Sequence, residues 1–286
     1  MQILRAQEMG MCFGVRDALA VLDRVEDPAG VTIHGELVHN PEVLAWLDRR
    51  GFARSAEAAR AVPSTPVVAV TAHGISDRER SALRAAGKQL LDTTCPLVKK
   101  AHDAAQALAA EGRRVVVLGR RDHVEVRGII EDLQQPIVVG SVADVATWPE
   151  RALGVVCQTT TQGEVAAALL AAIVAANPHA DVRFTDTICA PTKARIDALL
   201  EILPRIDALV VVGGHDSNNT RQLVLRAEHH GVRTCHVDHV RELVPAWFDG
   251  VRVCGLTAGT STLPRTIEAV HGWLERLAAG RQKHSA

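Results

Sequence analysis

Three cysteines, Cys12, Cys95 and Cys189, stand at nearly even intervals along the chain, and each precedes a stretch that reads as the start of a helix. Their contexts are Gly10-Met11-Cys12-Phe13-Gly14-Val15, Asp92-Thr93-Thr94-Cys95-Pro96-Leu97 and Asp186-Thr187-Ile188-Cys189-Ala190-Pro191. In the last two, a proline falls where a first helical turn tolerates one. At a helix N-terminus the dipole and the free backbone N–H groups favour a thiolate, the form that binds metal or attacks an electrophile. Three small buried side chains is the competing reading, and it explains a lone cysteine better than three in matching contexts. The pattern constrains the chain toward three similar lobes that together supply one soft-metal site.

Composition agrees with such lobes. Hydrophobic residues make up 47% but aromatics only 3%, with no tyrosine, so the cores must be built from Ala, Val, Leu and Ile, as in parallel α/β sheets. Short apolar runs recur at Val67–Val70, Val115–Leu118, Gly154–Cys157, Ala208–Val212 and Val251–Cys254, each ending in small or polar residues. They read as βα units, with helices over Ser81 to Lys88, Ala101 to Glu111 and Gly163 to Ala176. Boundaries near the cysteines divide the chain into lobes 1–95, 96–188 and 189–286, and Gly280 to Ala286 reads as a polar tail. Cys157, Cys235 and Cys254 lie inside apolar strand patterns and belong to the core.

A formal net charge of −1 and the scarcity of aromatic stacking platforms argue against nucleic acid as a partner. No run approaches the length of a membrane span and the N-terminus has no apolar leader region, so the expectation is a cytoplasmic protein without a membrane partner. In a reducing compartment six cysteines serve as thiols or metal ligands rather than disulfides.

In parallel α/β sheets ligands bind beyond the carboxyl ends of the strands. There the sequence places His39-Asn40, Thr71-Ala72-His73-Gly74, Asp122-His123-Val124-Glu125, Gln158-Thr159-Thr160-Thr161, Gly213 to Asn219 and Thr257 to Thr262. Neutral hydroxyls, amides, imidazoles and turn N–H groups can bind a phosphate without a lysine clamp. No Gly-x-x-x-x-Gly-Lys or Gly-x-Gly-x-x-Gly is present, so an ordinary nucleotide cradle is excluded. Glu125 follows His123 by two residues, which in an extended segment turns both side chains to one face, and a carboxyl beside an imidazole can deliver protons.

With these motifs the chain resembles the 4-hydroxy-3-methylbut-2-enyl diphosphate reductase family, from Cys12 to Pro264. Gly-x-Cys-x-Gly-Val, Ala-His-Gly, Asp-Thr-Thr-Cys-Pro-Leu-Val, His-x-Glu-Val, Gln-Thr-Thr, Asp-Thr-Ile-Cys and Thr-Ala-Gly-x-Ser occur in the family's order, and the ordered set is specific where each motif alone is weak. The resemblance implies a trefoil of three α/β lobes around one [4Fe–4S] cluster per chain, held by Cys12, Cys95 and Cys189 with the fourth iron open to substrate. It implies that His39, His73, His123, Ser217, Asn218, Asn219 and Ser261 bind the diphosphate, and that Glu125 and Thr160 handle the proton at the substrate hydroxyl. It also implies reduced ferredoxin or flavodoxin as electron donor. The segment Cys189 to Ile196 departs from the family's Cys-Tyr-Ala-Thr-x-Asn-Arg-Gln by losing the tyrosine, asparagine and glutamine, and Asn218 stands for the second serine of Ser-Ser-Asn. Two other readings stay open: a different three-cysteine iron–sulfur dehydratase, and a noncatalytic iron–sulfur sensor.

Overall fold

Runs of Val, Leu, Ile and Ala that are apolar at every position have no polar face to turn to water, so they form strands covered on both sides. The structure, a computed structural model, describes residues 1–57 and 61–283. It divides into two compact units: Met1–Phe13 with His39–Val43 and Ala190–Ala286, and Gly14–Val38 with Leu44–Cys189. Among the described residues no helix is long and apolar enough to cross a membrane.

The first unit holds one parallel sheet, of β1 (Gln2–Arg5), β10 (Ala208–Val212), β11 (Arg233–Val237) and β12 (Val253–Ala258), in the order β1-β12-β10-β11. All five side chains of β10 are buried. The second unit holds two more: β2 (Val31–Ile33), β3 (Ala53–Arg54), β4 (Val67–Val70) and β5 (Gln89–Asp92) in the order β3-β2-β4-β5, and β6 (Arg114–Leu118), β7 (Ile137–Val139), β8 (Ala152–Cys157) and β9 (Asp181–Phe184) in the order β7-β6-β8-β9. Every pairing is parallel.

The three orders become one when β1 counts as the fourth strand of its sheet. A helix follows the first strand of each set: α2 (Pro41–Arg50), α5 (Val124–Ile130) and α8 (Asn218–His229). Another follows the third: α3 (Asp77–Ala85), α6 (Gly163–Ala176) and α9 (Pro264–Lys283). A third follows the fourth, edge strand: α1 (Phe13–Asp23), α4 (Pro96–Ala110) and α7 (Ala190–Ile202). Each begins at the residue after a cysteine of the matched trio, as the sequence predicts. The α/β class with three lobes is therefore what the structure has, and the threefold repeat is permuted so that the chain's first strand completes its last sheet.

Within the second unit α4 follows β5 and packs on β6 and β8, with Leu108 so close to Gly154 on β8 that a Cβ there would meet its side chain at 2.8 Å. The end of α5 also caps α3. Asp132 accepts the N–H groups of Asp77 and Arg78 at 2.7 and 3.0 Å, and Ser76, the N-cap of α3, donates to Glu131. A carboxylate suits the positive end of the α3 dipole.

Several expectations are corrected. The helix expected from Ser81 to Lys88 begins earlier, at Asp77, because Ser76 caps it, and it ends at Ala85. The strand expected at Val251 runs from Val253 to Ala258, so Thr257 lies within it. The expected tail is helical as far as Lys283, and residues 284–286 lie outside the described ones. Seven strands, β1, β2, β3, β5, β7, β9 and β11, are short or half polar and carry no strong apolar run. Cys157 and Cys254 are buried at 0% exposure and Cys235 at 9%, as expected of core residues.

Candidate active site

The predicted site residues fall at equivalent strand ends of the three repeats. His39, His123 and Ser217 follow the first strands, His73, Thr160 and Ser261 the third, and Cys95, Cys189 and Cys12 the fourth.

The third and fourth strand ends are built alike. Each cysteine donates its N–H to a carbonyl two residues beyond the third strand: Cys95 to Ala72 at 3.0 Å, Cys189 to Thr159 at 2.9 Å and Cys12 to Thr260 at 2.9 Å. At Cys95 and Cys189 the Asp-Thr-x-Cys motif braces the turn that makes this bond, which Cys12 makes without it. Asp92 Oδ1 accepts the N–H of Thr94 and Asp186 Oδ1 that of Ile188, both at 3.0 Å, closing a side-chain turn just before the cysteine. The threonine hydroxyls then donate to the last carbonyl of the third strand, Thr93 to Val70 at 2.5 Å and Thr187 to Cys157 at 2.6 Å. Cys12, Cys95 and Cys189 are half-buried and outside any disulfide, whereas the three core cysteines are buried. Gly14 makes room for one of them, since a Cβ there would lie 2.5 Å from Cys95 Sγ.

At the first strand ends, side chains cap the helices. Asn40 Oδ1 accepts the N–H groups of Glu42 and Val43 at 2.9 and 3.1 Å, and Ser217 Oγ accepts that of Thr220 at 3.3 Å. His123 caps α5 by accepting the Glu125 N–H on Nδ1 at 3.2 Å. A ring nitrogen that accepts carries no proton, so the proton of the neutral imidazole sits on Nε2. The expectation that His123 and Glu125 share one face of an extended segment is thus replaced by a cap and the first turn of a helix. His73 meets His123 edge to face, with ring centroids 5.5 Å apart.

Glu125 is 1% exposed. Burial, only partly offset by two hydrogen bonds from Thr159, pushes its carboxyl up to about 7. Thr159 donates its N–H to Oε1 at 2.6 Å and its hydroxyl to Oε2 at 3.0 Å. Thr160, singled out from the sequence, instead accepts an N–H of Gln158 at 3.0 Å. The sequence offered one signal for Thr159, its place next to Thr160 in Gln-Thr-Thr, and nothing that distinguished the two hydroxyls.

In the first unit, Asn219 Oδ1 accepts the N–H of Thr260 at 2.9 Å, which fixes the orientation of the amide. Its Nδ2 is buried and finds no partner among the described residues. Asn40 Nδ2 donates to the Ser261 carbonyl at 2.8 Å, and the Ser261 hydroxyl to the His39 carbonyl at 3.4 Å. Asn218 and Asn219 open α8, so the loop ends at a helix N-terminus that carries amide side chains.

The family model described as LytB protein matches residues 3–275. The chain belongs to the LytB protein family. Among LytB relatives, the 4-hydroxy-3-methylbut-2-enyl diphosphate reductase of Nitratidesulfovibrio vulgaris (strain DSM 19637 / Miyazaki F) is 37% identical over 97% of this chain and 100% of its own length. That of Anaeromyxobacter sp. (strain Fw109-5) is 35% identical over 97% of this chain and 98% of its own. A solved structure of E-1-hydroxy-2-methyl-but-2-enyl-4-diphosphate reductase from Plasmodium falciparum aligns with a TM-score of 0.88 at 26% identity, covering 96% of this chain and 87% of that one. A structure of (E)-4-hydroxy-3-methyl-but-2-enyl diphosphate reductase, the terminal enzyme of the non-mevalonate pathway, aligns at 0.67 and 30% identity, covering 96% of this chain and all of the other.

Proposed function

We propose that this LytB chain reduces 4-hydroxy-3-methylbut-2-enyl diphosphate to isopentenyl and dimethylallyl diphosphate. The observation that carries the reading is Glu125: a buried carboxyl poised near 7, held from both oxygens by Thr159, whose carbonyl in turn receives the N–H of Cys189. A carboxylic acid that keeps its proton near neutral pH is what removal of a hydroxyl as water requires. The reaction consumes two electrons and two protons; the C–O bond breaks, one proton leaves with the oxygen as water and the other goes to carbon.

Cys12, Cys95 and Cys189 would hold an iron–sulfur cluster, read here as [4Fe–4S]. The donor set fits: three thiols set by the same backbone bond in three repeats, each at the start of a helix, with Gly14 leaving space beside one sulfur. Three thiolates leave one iron of such a cluster without a cysteine, the arrangement of an open metal position. When bound, the cluster supplies the two electrons, received from reduced ferredoxin or flavodoxin.

The remaining roles belong to side chains of the protein. Glu125 donates the proton to the departing hydroxyl, with Thr159 holding its carboxyl, and Thr160 shares in handling that proton at the substrate hydroxyl. His39, His73, His123, Ser217, Asn218, Asn219 and Ser261 bind the diphosphate as hydrogen-bond donors, a set without the lysine or arginine whose fixed charge beside Glu125 would drive its proton off. The His123 Nε2–H, set by the cap on Nδ1, is such a donor, and so is the buried Asn219 Nδ2.

The test is anaerobic turnover of the substrate with a reduced viologen, using reconstituted protein of measured iron and sulfide content. Substrate-dependent dye oxidation that disappears in Glu125→Gln is the expected result. An intact cluster with no dye oxidation would overturn the reading.

A further inference from the structure

Two of the three cysteines are locked by their own sequence, and the third is not. At three residues before the cysteine stand Asp92, Asp186 and Met9; at two residues before it, Thr93, Thr187 and Gly10. The aspartates close the side-chain turns, and the threonine hydroxyls bond the last carbonyl of the neighbouring strand. Methionine and glycine can do neither. At the Cys12 turn backbone bonds remain without the side-chain ones: the Gly10 N–H donates to the carbonyl of Ala258, the last residue of β12, at 3.0 Å, and the Cys12 N–H to that of Thr260 at 2.9 Å.

What replaces the missing lock comes from far along the chain. Arg195, on the buried side of α7 and 4% exposed, donates Nε and Nη2 to the Gly10 carbonyl at 3.0 and 2.5 Å. Its Nη1 holds the Pro191 carbonyl at 2.9 Å, in the first turn of the same helix. Gly10 is thus gripped by N–H and by carbonyl, at φ +74° and in a space where a Cβ would lie 2.5 Å from Ile267 Cδ1. A planar guanidinium suits this task because its donors are fixed in a fork, whereas a lysine offers one flexible ammonium.

We infer that Arg195 is the positioning residue for Cys12, doing through Gly10 what Asp-Thr does for Cys95 and Cys189. The inference rests on the proposed reading of Cys12 as a cluster ligand only in its consequence for metal; the hold on the turn itself is independent of it.

The test compares Arg195→Met, which keeps bulk and loses the donors, with Arg195→Lys, which keeps the charge and loses the fork. Two readouts are taken on the full chain: site-resolved alkylation of Cys12, Cys95 and Cys189 by iodoacetamide in metal-free protein, and iron release from reconstituted protein to a chelator. The expected result in Arg195→Met is faster alkylation of Cys12 alone and iron release faster by about tenfold or more, the range for a buried carbonyl left unsatisfied, with Arg195→Lys between it and the parent. Unchanged Cys12 alkylation in either variant that retains the parent's circular dichroism would overturn the inference, as would an equal change at all three cysteines. A Cys12→Ala protein with the parent's iron content and release rate would sink the ligand reading alone and leave the alkylation result standing.

Discussion

Thr159 grips Glu125 with its N–H and its hydroxyl, at 2.6 Å to one carboxyl oxygen and 3.0 Å to the other. With its carbonyl it receives the N–H of Cys189 at 2.9 Å. One residue therefore couples the proposed proton donor to a proposed cluster ligand, and several consequences can be measured.

Turnover should fall as the pH rises through about 7, where Glu125 gives up the proton it must donate. Above that value kcat should drop about tenfold per pH unit. Glu125→Gln cannot supply a proton, and its kcat should be lower by about 10²–10⁴-fold with no limb near 7. A pH profile of kcat at saturating substrate checks both; a limb that persists unshifted in Glu125→Gln belongs to another group.

Thr159→Val removes the hydroxyl donor to Oε2, a bond that favours the charged carboxylate. The alkaline limb of the parent should move upward in this variant. Thr160→Val, which loses the hydroxyl that accepts from Gln158, should leave the limb in place. Parallel pH profiles of the two proteins decide which threonine tunes the acid.

Burying Glu125 also makes folding depend on pH. Its carboxyl is raised from 4.5 to about 7, so its contribution to stability is fully present below 4.5 and is lost as the pH rises through about 7. That difference corresponds to roughly 3 kcal/mol across the window. Urea unfolding of metal-free protein at pH 5 and pH 8 should show the decline in the parent and a smaller one in Glu125→Gln. Equal declines would assign the pH dependence elsewhere.

Asn219→Asp keeps an oxygen to accept from Thr260 but replaces the buried Nδ2 donor with an acceptor that carries charge. Facing a diphosphate, it should raise KM by about 100-fold through like-charge repulsion, with a much smaller change in kcat. Steady-state kinetics separate the two; an unchanged KM would remove Asn219 from the diphosphate site.

Much of the fold was legible where information is local. Each cysteine of the trio precedes a helix because proline and the small residues around it terminate an extended segment and start a turn, which neighbours in sequence decide. The five apolar runs became the strands at the centres of the sheets. The edge strands escaped notice because half or more of their side chains meet water: β5 and β9 are exposed at both ends.

The sequence by itself determined the chemistry available, three thiols at helix starts, a carboxyl beside a histidine, and neutral donors at the ends of parallel strands. Tertiary structure alone decided that β1 completes the sheet of β10, β11 and β12, that Thr159 rather than Thr160 holds Glu125, and that Arg195 secures the turn of Cys12. Each of these joins residues distant along the chain, or chooses between adjacent side chains that point opposite ways. Such contacts are set by how whole elements pack, a property that no local run of residues carries.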